Sequence, residues 1–558
     1  MNKASPWAAL LADTAQCWND LDLSATSEAL SLPYAGWKSM VAASASDLPM
    51  DSVPADFESL LADAAVPDLL PLRSTSTSAG MATDPLDTEL TQVVALLKSG
   101  EVSASELTQQ ALVRLHALQE ATNACIEIDD EAALAHAAEC DAAHGRGEAL
   151  GPLHGVPLAH KDLLYREGIL VGCGLQPRMP RPYVWPGTAP VLQRLDAAGA
   201  INLGRLHMTE WAFDPSGANE ELGPCRNPWS LDHVPGGSSS GSAVAVAGRA
   251  VFAALGTDTG GSIRIPAALC GITGLKPTHG VVDVRGAMPL SHSNDHIGPL
   301  ARSAKDCALI LQIIVGTSAL RPPLLASLRN SFARVASGAV ADLTGLRIGI
   351  PQHFFREGVD PRISALVEDS LAQFKDLGAL VMPVPDFDWL ALNTAGAMVT
   401  RVEAAARLSK LRTLIGVRPA LVARFEEGLG IPGSVYVQLL NERAGRLQQF
   451  LNTVMAGVDV LHVPVCRVMT PTHATLAQGG AVAADARKEL TVMNRPFNFL
   501  GVPALSLPCG FASEAGGPKL PVGFQLIGRP YADAQLLAIG AAWQDATTWH
   551  RMAPELKL

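Results

Sequence analysis

Apolar residues recur with a helical period shortly after residue 89, then alternate with strand-length apolar runs along the rest of the chain. Leu90, Val93, Val94 and Leu97 fall at i, i+3, i+4 and i+7, the spacing that places one apolar stripe on a helix. Ser103 followed by Glu106 reads as a capping box and predicts a second helix running through Leu107, Ala111, Leu115 and Leu118. Further on, residues 201–204, 346–350, 458–465 and 504–507 read as short buried strands. Helical patterns cover 191–198, 304–314 and 363–374 between them. Strands alternating with helices predict an α/β layered domain around a largely buried sheet.

The first 84 residues follow a different pattern. They hold eleven acidic residues against three basic ones (Lys3, Lys38, Arg73), which supplies eight of the chain's twelve net negative charges. Short apolar patches at 7–11 and 57–61 predict a few short amphipathic helices, and the run Ser-Thr-Ser-Thr-Ser-Ala-Gly at 74–80 reads as a linker. A helical extension over 1–84 and a catalytic domain over 85–558 are therefore expected. The extension would pack on the core or a neighbouring protomer, or serve as a lid or partner-binding module.

Composition narrows the function classes. With 558 residues, 48% hydrophobic and 17% charged, the chain reads as a well-buried globular enzyme. Its acidic balance and lack of a Lys/Arg cluster argue against nucleic-acid contact, which needs a concentrated basic face. Nine cysteines are spread singly, which argues against a disulfide framework or a cysteine zinc site and fits a reduced compartment. Asp13, Asp20, Asp22 and Glu28 interrupt any apolar leader, and no run reaches the roughly 20 apolar residues of a membrane span. A cytoplasmic protein with no membrane partner is expected.

Candidate chemistry concentrates at 235–266, which reads PGGSSSGSAVAVAGRAVFAALGTDTGGSIRIP. Two Gly-Gly-Ser turns end in Ser238 and Ser262, 24 positions apart. Consecutive glycines raise the entropy cost of ordering a backbone, so they mark sharp turns or close approaches. A serine ending such a turn is a hydroxyl presented as nucleophiles are. The turn around Ser262 also offers consecutive N–H groups at Thr259, Gly260, Gly261 and Ser262, a candidate oxyanion hole in which one donor is typically worth about 3 kcal/mol. Asp258 and Arg264 bracket this turn and are expected to brace it as an ion pair.

This block resembles the signature of the amidase signature family, serine hydrolases that cleave amides with a Ser-Ser-Lys triad. The segment Gly155–Asp162, with Lys161 after an apolar run, matches the family's G-V-P-[apolar]-x-x-K-D pattern, and with the Gly-Gly-Ser-Ser turn and the run Gly256–Pro266 it makes three separated motifs in the family's order. Further matches are Gly204–Ala212, Asn227-Pro228-Trp229, Asp295–Pro299, Arg495-Pro496-Phe497-Asn498, Gly501–Ala504 and Pro521–Gln525, so the resemblance runs from about residue 87 to the end. It implies an α/β/α sandwich around a mixed sheet. It also implies Lys161 as general base, Ser238 as a relay beside a cis peptide bond, and Ser262 as the nucleophile that forms an acyl-enzyme. A lysine base must be neutral, which near neutral pH needs roughly 3 units of depression, equivalent to about 4 kcal/mol. No cofactor is implied.

The expected reaction is hydrolysis of the carbon–nitrogen bond of a small, apolar or aryl amide, with esters and carbamates also open to cleavage. Met208, Trp211, Phe213 and Phe497 are candidate walls of the acyl pocket, with contributions expected from 400–410 and 439–446. Expected partners are a small-molecule amide, no nucleic acid and no membrane, and the chain is compatible with a homodimer. Three readings compete. Gly237–Gly241 satisfies G-x-S-x-G, which would make Ser239 an elbow nucleophile with His550 as a partner, but two prolines and no strand precede it. His154 and His160 lack metal-ligand spacing, and no phosphate-binding loop occurs. The third reading is the glutamine-hydrolysing component of a tRNA-dependent amidotransferase, with the acidic extension as a docking element.

Overall fold

Near-continuous apolar runs, buried on both faces, build the centre of the molecule. The computed structural model describes residues 54–556 except 65–66, 68–69, 75–83, 176–184, 318–319, 412–418 and 514–515. The apolar patch at 7–11 and most of the 74–80 linker lie outside the described residues. The first seven strands are β1 (Leu72–Ser74), β2 (Cys125–Ile128), β3 (Pro157–Lys161), β4 (Ile201–Leu206), β5 (Ala253–Thr257), β6 (Thr273–Lys276) and β7 (Ile297–Ala301). The rest are β8 (Ala339–Ala341), β9 (Arg347–Ile350), β10 (Leu380–Pro383), β11 (Val460–Pro464), β12 (Ala504–Ala512) and β13 (Leu520–Ile527). Eleven of them form one mixed sheet in the order β10-β9-β11-β13-β12-β6-β7-β5-β3-β4-β2. Every residue of β3, β5, β6, β7, β11 and β13 is buried, as a sheet covered on both faces requires. Helices Ser240–Ala247 and Arg264–Cys270 pack on it as one pair, and Ala304–Ile314 and Asp533–Ala546 as another. The fold is the mixed α/β sandwich expected.

The periodic segments form as their residues predict. Leu90–Ser99 is a helix with Leu90, Val93 and Leu97 buried, and Gly100 at φ 74° ends it. Ser103 caps Ala104–Thr122, with its side chain and that of Glu106 each accepting from the other's backbone N–H. The apolar run after residue 243 divides into a helix and β5, because Gly248 and Arg249 (φ 58°) turn the chain between them. Residues 54–74 carry a helix, Pro54–Asp63, and β1, which pairs antiparallel with β8. Phe57 and Leu61 of that helix are buried, and the Arg443 guanidinium lies 3.7 Å from the Phe57 ring centroid.

One buried ion pair ties the sheet's carboxyl ends to the helices that carry the glycine-rich turns. Arg264, fully buried, donates from Nε and Nη2 to Asp258, each at 3.0 Å. It also reaches Gln525 Oε1 at 2.9 Å, Asn498 Oδ1 at 2.6 Å and the Asn494 carbonyl at 3.2 Å. Asn498 donates to the Asp258 carboxylate at 2.8 Å. Burial alone would raise the Asp258 carboxyl, but Arg264 and Asn498 outweigh it and hold the group well below the usual carboxylate range. Removing one partner of such a pair leaves an uncompensated buried charge, so Arg264→Met should lower the unfolding free energy by about 3–5 kcal/mol. Urea denaturation checks this; a loss under about 1 kcal/mol would show that the pair does not organise the fold.

Candidate active site

Lys161 ends β3, which runs parallel to β5 on one side and β4 on the other. Its side chain is only 1% exposed. Nζ donates to Thr257 Oγ1 at 2.8 Å and lies 2.7 Å from Ser238 Oγ. Thr257 is the last residue of β5, so two adjacent parallel strands end with the lysine and its hydroxyl partner side by side. Desolvation pushes the Lys161 ammonium down to about 7, against the opposing pull of Asp295 and Asp258.

The Ser238 turn meets this lysine, and the Ser262 turn is joined to the Ser238 turn. The Gly237–Ser238 peptide bond is cis, and the Gly237 N–H donates to the Pro215 carbonyl at 2.7 Å. A Cβ on Gly237 would fall 2.8 Å from the Gly217 nitrogen and 2.9 Å from the Asp214 oxygen, so no other residue fits without moving backbone. Ser238 is fully buried, whereas Ser262 is half-buried. The Ser239 N–H donates to the Ser262 carbonyl at 3.3 Å, which joins the turns directly. Gly261 adopts φ +123°, and a Cβ there would approach Ile265 Cδ1 to 2.6 Å.

The candidate oxyanion donors divide into two sets. The Gly261 N–H donates to Asp258 Oδ1 at 2.8 Å, so the same carboxylate that holds Arg264 occupies it. Thr259, Gly260 and Ser262 take no part in that bracing with their N–H groups. The Thr259 hydroxyl donates to Asp295 at 2.5 Å, and the Leu290 and Ser291 N–H groups bind the other oxygen at 2.9 and 3.0 Å. Burial nonetheless pushes the Asp295 carboxyl up to about 7. Asp162, next to the lysine, is tied to Arg205 at 2.6 Å and to the Gly172 and Gly174 N–H groups.

The pocket candidates do not all lie together. Met208 and Trp211 belong to one buried cluster with Leu163, Met288, Ala404 and Phe425, and Phe213 packs against it. Phe213 stacks on Phe425 with ring centroids 5.1 Å apart. Phe497 lies elsewhere, stacked on Phe355 at 5.6 Å and beside Trp389, fully buried as a core aromatic. Of the two helical stretches expected as walls, the first supplies Ala404 and Glu403. Glu403 accepts from the Ser291 and Ser293 hydroxyls at 2.5 Å and from Tyr436 at 2.9 Å. The second turns Arg443 away, toward Phe57 and the Phe499 carbonyl.

Geometry also bears on two of the competing readings. Ser239 Oγ donates to the Thr257 carbonyl at 3.3 Å and accepts the Thr257 N–H at 3.2 Å, so this hydroxyl is structural. His550 sits by Glu89, 3.7 Å away. His154 meets the Cys140 carbonyl and His160 accepts the Leu255 N–H, and among the described residues no cluster could hold a metal. Two residues escape reading from sequence. Thr257 lies inside the glycine-rich run and Asn498 inside the Arg-Pro-Phe-Asn match, but only folding brings them to Lys161 and Asp258.

A family model described as Amidase matches residues 106–537. The A subunit of glutamyl-tRNA(Gln) amidotransferase from Moorella thermoacetica is 36% identical over 494 residues, covering 83% of this chain and 97% of that protein. The protein of the same name from Methylococcus capsulatus is also 36% identical, over 83% of this chain and 98% of that one. Among solved structures, an amidase superposes with TM-score 0.71 at 32% identity, covering 82% of this chain and 99% of that one. The peptide amidase of Stenotrophomonas maltophilia gives 0.67 at 28%, covering 84% and 99%. The relatives overturn two expectations: a free amidase for a small apolar or aryl amide, and a partner set of a small-molecule amide with no nucleic acid. The acidic composition argues only against phosphate contacts made by this chain; one component of an assembly can leave those contacts to its partners. By motif, geometry and matched length, the chain belongs to the amidase signature family.

Proposed function

We propose that this chain is the amide-hydrolysing component of a glutamyl-tRNA(Gln) amidotransferase, releasing ammonia from glutamine for use by partner subunits. The observation that carries this reading is the 36% identity to such proteins over 83% of the chain. The Lys161–Ser238 contact supplies the chemistry it needs.

In this mechanism neutral Lys161 takes the Ser238 hydroxyl proton on its nitrogen lone pair while Ser238 Oγ takes the proton of Ser262. Ser262 Oγ bonds to the carboxamide carbon, and the carbonyl electron pair moves to oxygen. The N–H groups of Thr259, Gly260 and Ser262 receive that oxyanion, since Asp258 occupies Gly261. The proton returns through Ser238 to the leaving nitrogen, the C–N bond breaks and ammonia departs. Water then hydrolyses the acyl-enzyme, releasing glutamate and restoring Ser262. Thr257, bonded to Nζ, aims the lone pair at Ser238. The cluster of Met208, Trp211 and Phe213 forms the pocket wall, and Phe497 is assigned to the core. Eight buried free cysteines among the described residues support a reducing, cytoplasmic setting. The acidic extension over 1–84 is assigned a docking role.

Lys161→Ala should reduce kcat/KM by about 10²–10⁴-fold, the usual worth of a positioned base, with Lys161→Arg giving no rescue. Steady-state ammonia release measures both, and wild-type rates in either variant would remove the lysine from the mechanism. Because burial lowers the Lys161 value to about 7, the neutral form is lost as pH falls, so kcat/KM should drop tenfold per unit below about 7. A flat profile from pH 5 to 8 would contradict this. Ammonia release from glutamine should depend on co-purified partner subunits and on glutamyl-tRNA. Faster turnover of short aliphatic or aryl amides than of glutamine, with or without partners, would overturn the amidotransferase reading.

A further inference from the structure

The helix Trp389–Leu411 grips the loop that runs beside Asp258 and Thr259. Glu403 projects from it with a side chain only 4% exposed. Its Oε2 accepts the Ser291 hydroxyl at 2.5 Å and the Ser293 N–H at 3.2 Å. Its Oε1 accepts the Ser293 hydroxyl at 2.5 Å and the Tyr436 hydroxyl at 2.9 Å, and the exposed His292 ring stands 3.4 Å away. Burial and the neighbouring Glu403 carboxylate push the Tyr436 phenol up, which keeps it a donor. One and two turns earlier on the helix, Thr400 Oγ1 and the Gly396 carbonyl accept from the Asn294 amide at 3.2 and 3.3 Å. A buried carboxylate is costly unless its oxygens are satisfied, and here each takes two donors. Residues 291–294 are thereby a fixed point on this helix.

That fixed point reaches the site through Asp295, the next residue. Its Oδ2 accepts the Leu290 and Ser291 N–H groups at 2.9 and 3.0 Å, and its Oδ1 takes the Thr259 hydroxyl at 2.5 Å. Ser291 is therefore shared, with its hydroxyl on Glu403 and its N–H on Asp295. His296 exchanges both backbone bonds with Asp258, at 2.9 and 3.1 Å. Thr259 is thus held through its own side chain and through its neighbour Asp258. Gly260 and Gly261 follow it, two residues with wide backbone freedom, so the hold on Thr259 sets how the chain enters the turn.

We propose that Glu403 is a positioning residue for the oxyanion hole, acting through Ser291 and Asp295 to fix the direction of the Thr259 N–H. The inference rests on the reading that this N–H receives the oxyanion formed at Ser262. Glu403 touches no reacting atom, so its effect falls on the rate of attack and not on the binding of what is attacked. A serine-directed fluorophosphonate tests this without an amide, because Ser262 Oγ displaces fluoride from phosphorus and the phosphoryl oxygen takes the oxyanion's place. In the full chain, Glu403→Ala should lower the limiting labelling rate at least about tenfold with the half-saturating probe concentration within about threefold; outright loss of one oxyanion donor costs about 10²–10³-fold. Glu403→Gln should recover most of that loss, since its carbonyl oxygen can face the Ser293 N–H while the Ser293 and Tyr436 hydroxyls turn to accept its N–H groups. Ser291→Ala, which removes only the shared hydroxyl, should slow labelling too and decides the case if Glu403→Ala does not fold. In a Thr259→Val background, Glu403→Ala should cost less than about threefold more, because the link it acts through is already cut. Equal losses in both backgrounds, a change in probe affinity with the limiting rate intact, or wild-type labelling in Ser291→Ala would overturn the role of Glu403. A label on a residue other than Ser262 would overturn the Ser262 reading and this inference with it. Ammonia release from glutamine enters none of these readouts, so failure of the amidotransferase reading leaves the test intact.

Discussion

An amine buried without a carboxylate able to keep it charged is the constraint on which this structure depends. Lys161 sits at the end of an interior strand with hydroxyls, not carboxylates, at its nitrogen. The two carboxyls that pull on it are both compromised. Asp258 is neutralised by Arg264 through two 3.0 Å bonds, and burial lifts Asp295 to about 7. Desolvation therefore wins and holds the lysine near 7. A fully charged Asp295 would return the amine toward its ordinary range and remove the neutral form that the proposed base role needs.

The sheet makes that arrangement durable. β3 and β5 are parallel neighbours, so their carboxyl ends bring Lys161 and Thr257 to one point without help from loops. The loops then add what strands cannot. Gly237 lets the chain carrying Ser238 pass against Asp214 and Gly217, and Gly261 at φ +123° lets the Ser262 turn close over Ile265. The Asp258–Arg264 pair fixes that turn to Asn498 and Gln525, which come from the far end of the chain. One buried cation thus serves the fold and the site together.

Much of this is legible in the residues. The i, i+3, i+4, i+7 stripe at Leu90–Leu97 and the Ser103–Glu106 capping box carry local information, and both helices form where that information places them. The strand runs are legible because a sheet covered on both faces needs uninterrupted apolar residues. Long-range contacts are not. Thr257 reads as one more residue of a glycine-rich run, and its bond to Lys161 depends on the pairing of β3 with β5. Phe497 is aromatic and near a motif, which makes it a pocket candidate by sequence, yet its surroundings are Phe355 and Trp389. Gly261 reads as one more oxyanion donor because adjacent N–H groups cannot be told apart until Asp258 is seen to take one. Substrate and partners lie further out of reach, because net charge describes this chain's own surface and says nothing of what a partner would contribute.

The claim that everything here requires is a neutral amine at Lys161 near physiological pH. Titration of that side chain by lysine ¹³Cε NMR in the full-length protein, assigned by its loss in Lys161→Arg, measures it directly. The account predicts a midpoint near 7. A midpoint near the ordinary lysine value of about 10.4 would contradict it, since the base would then stay protonated while the enzyme worked.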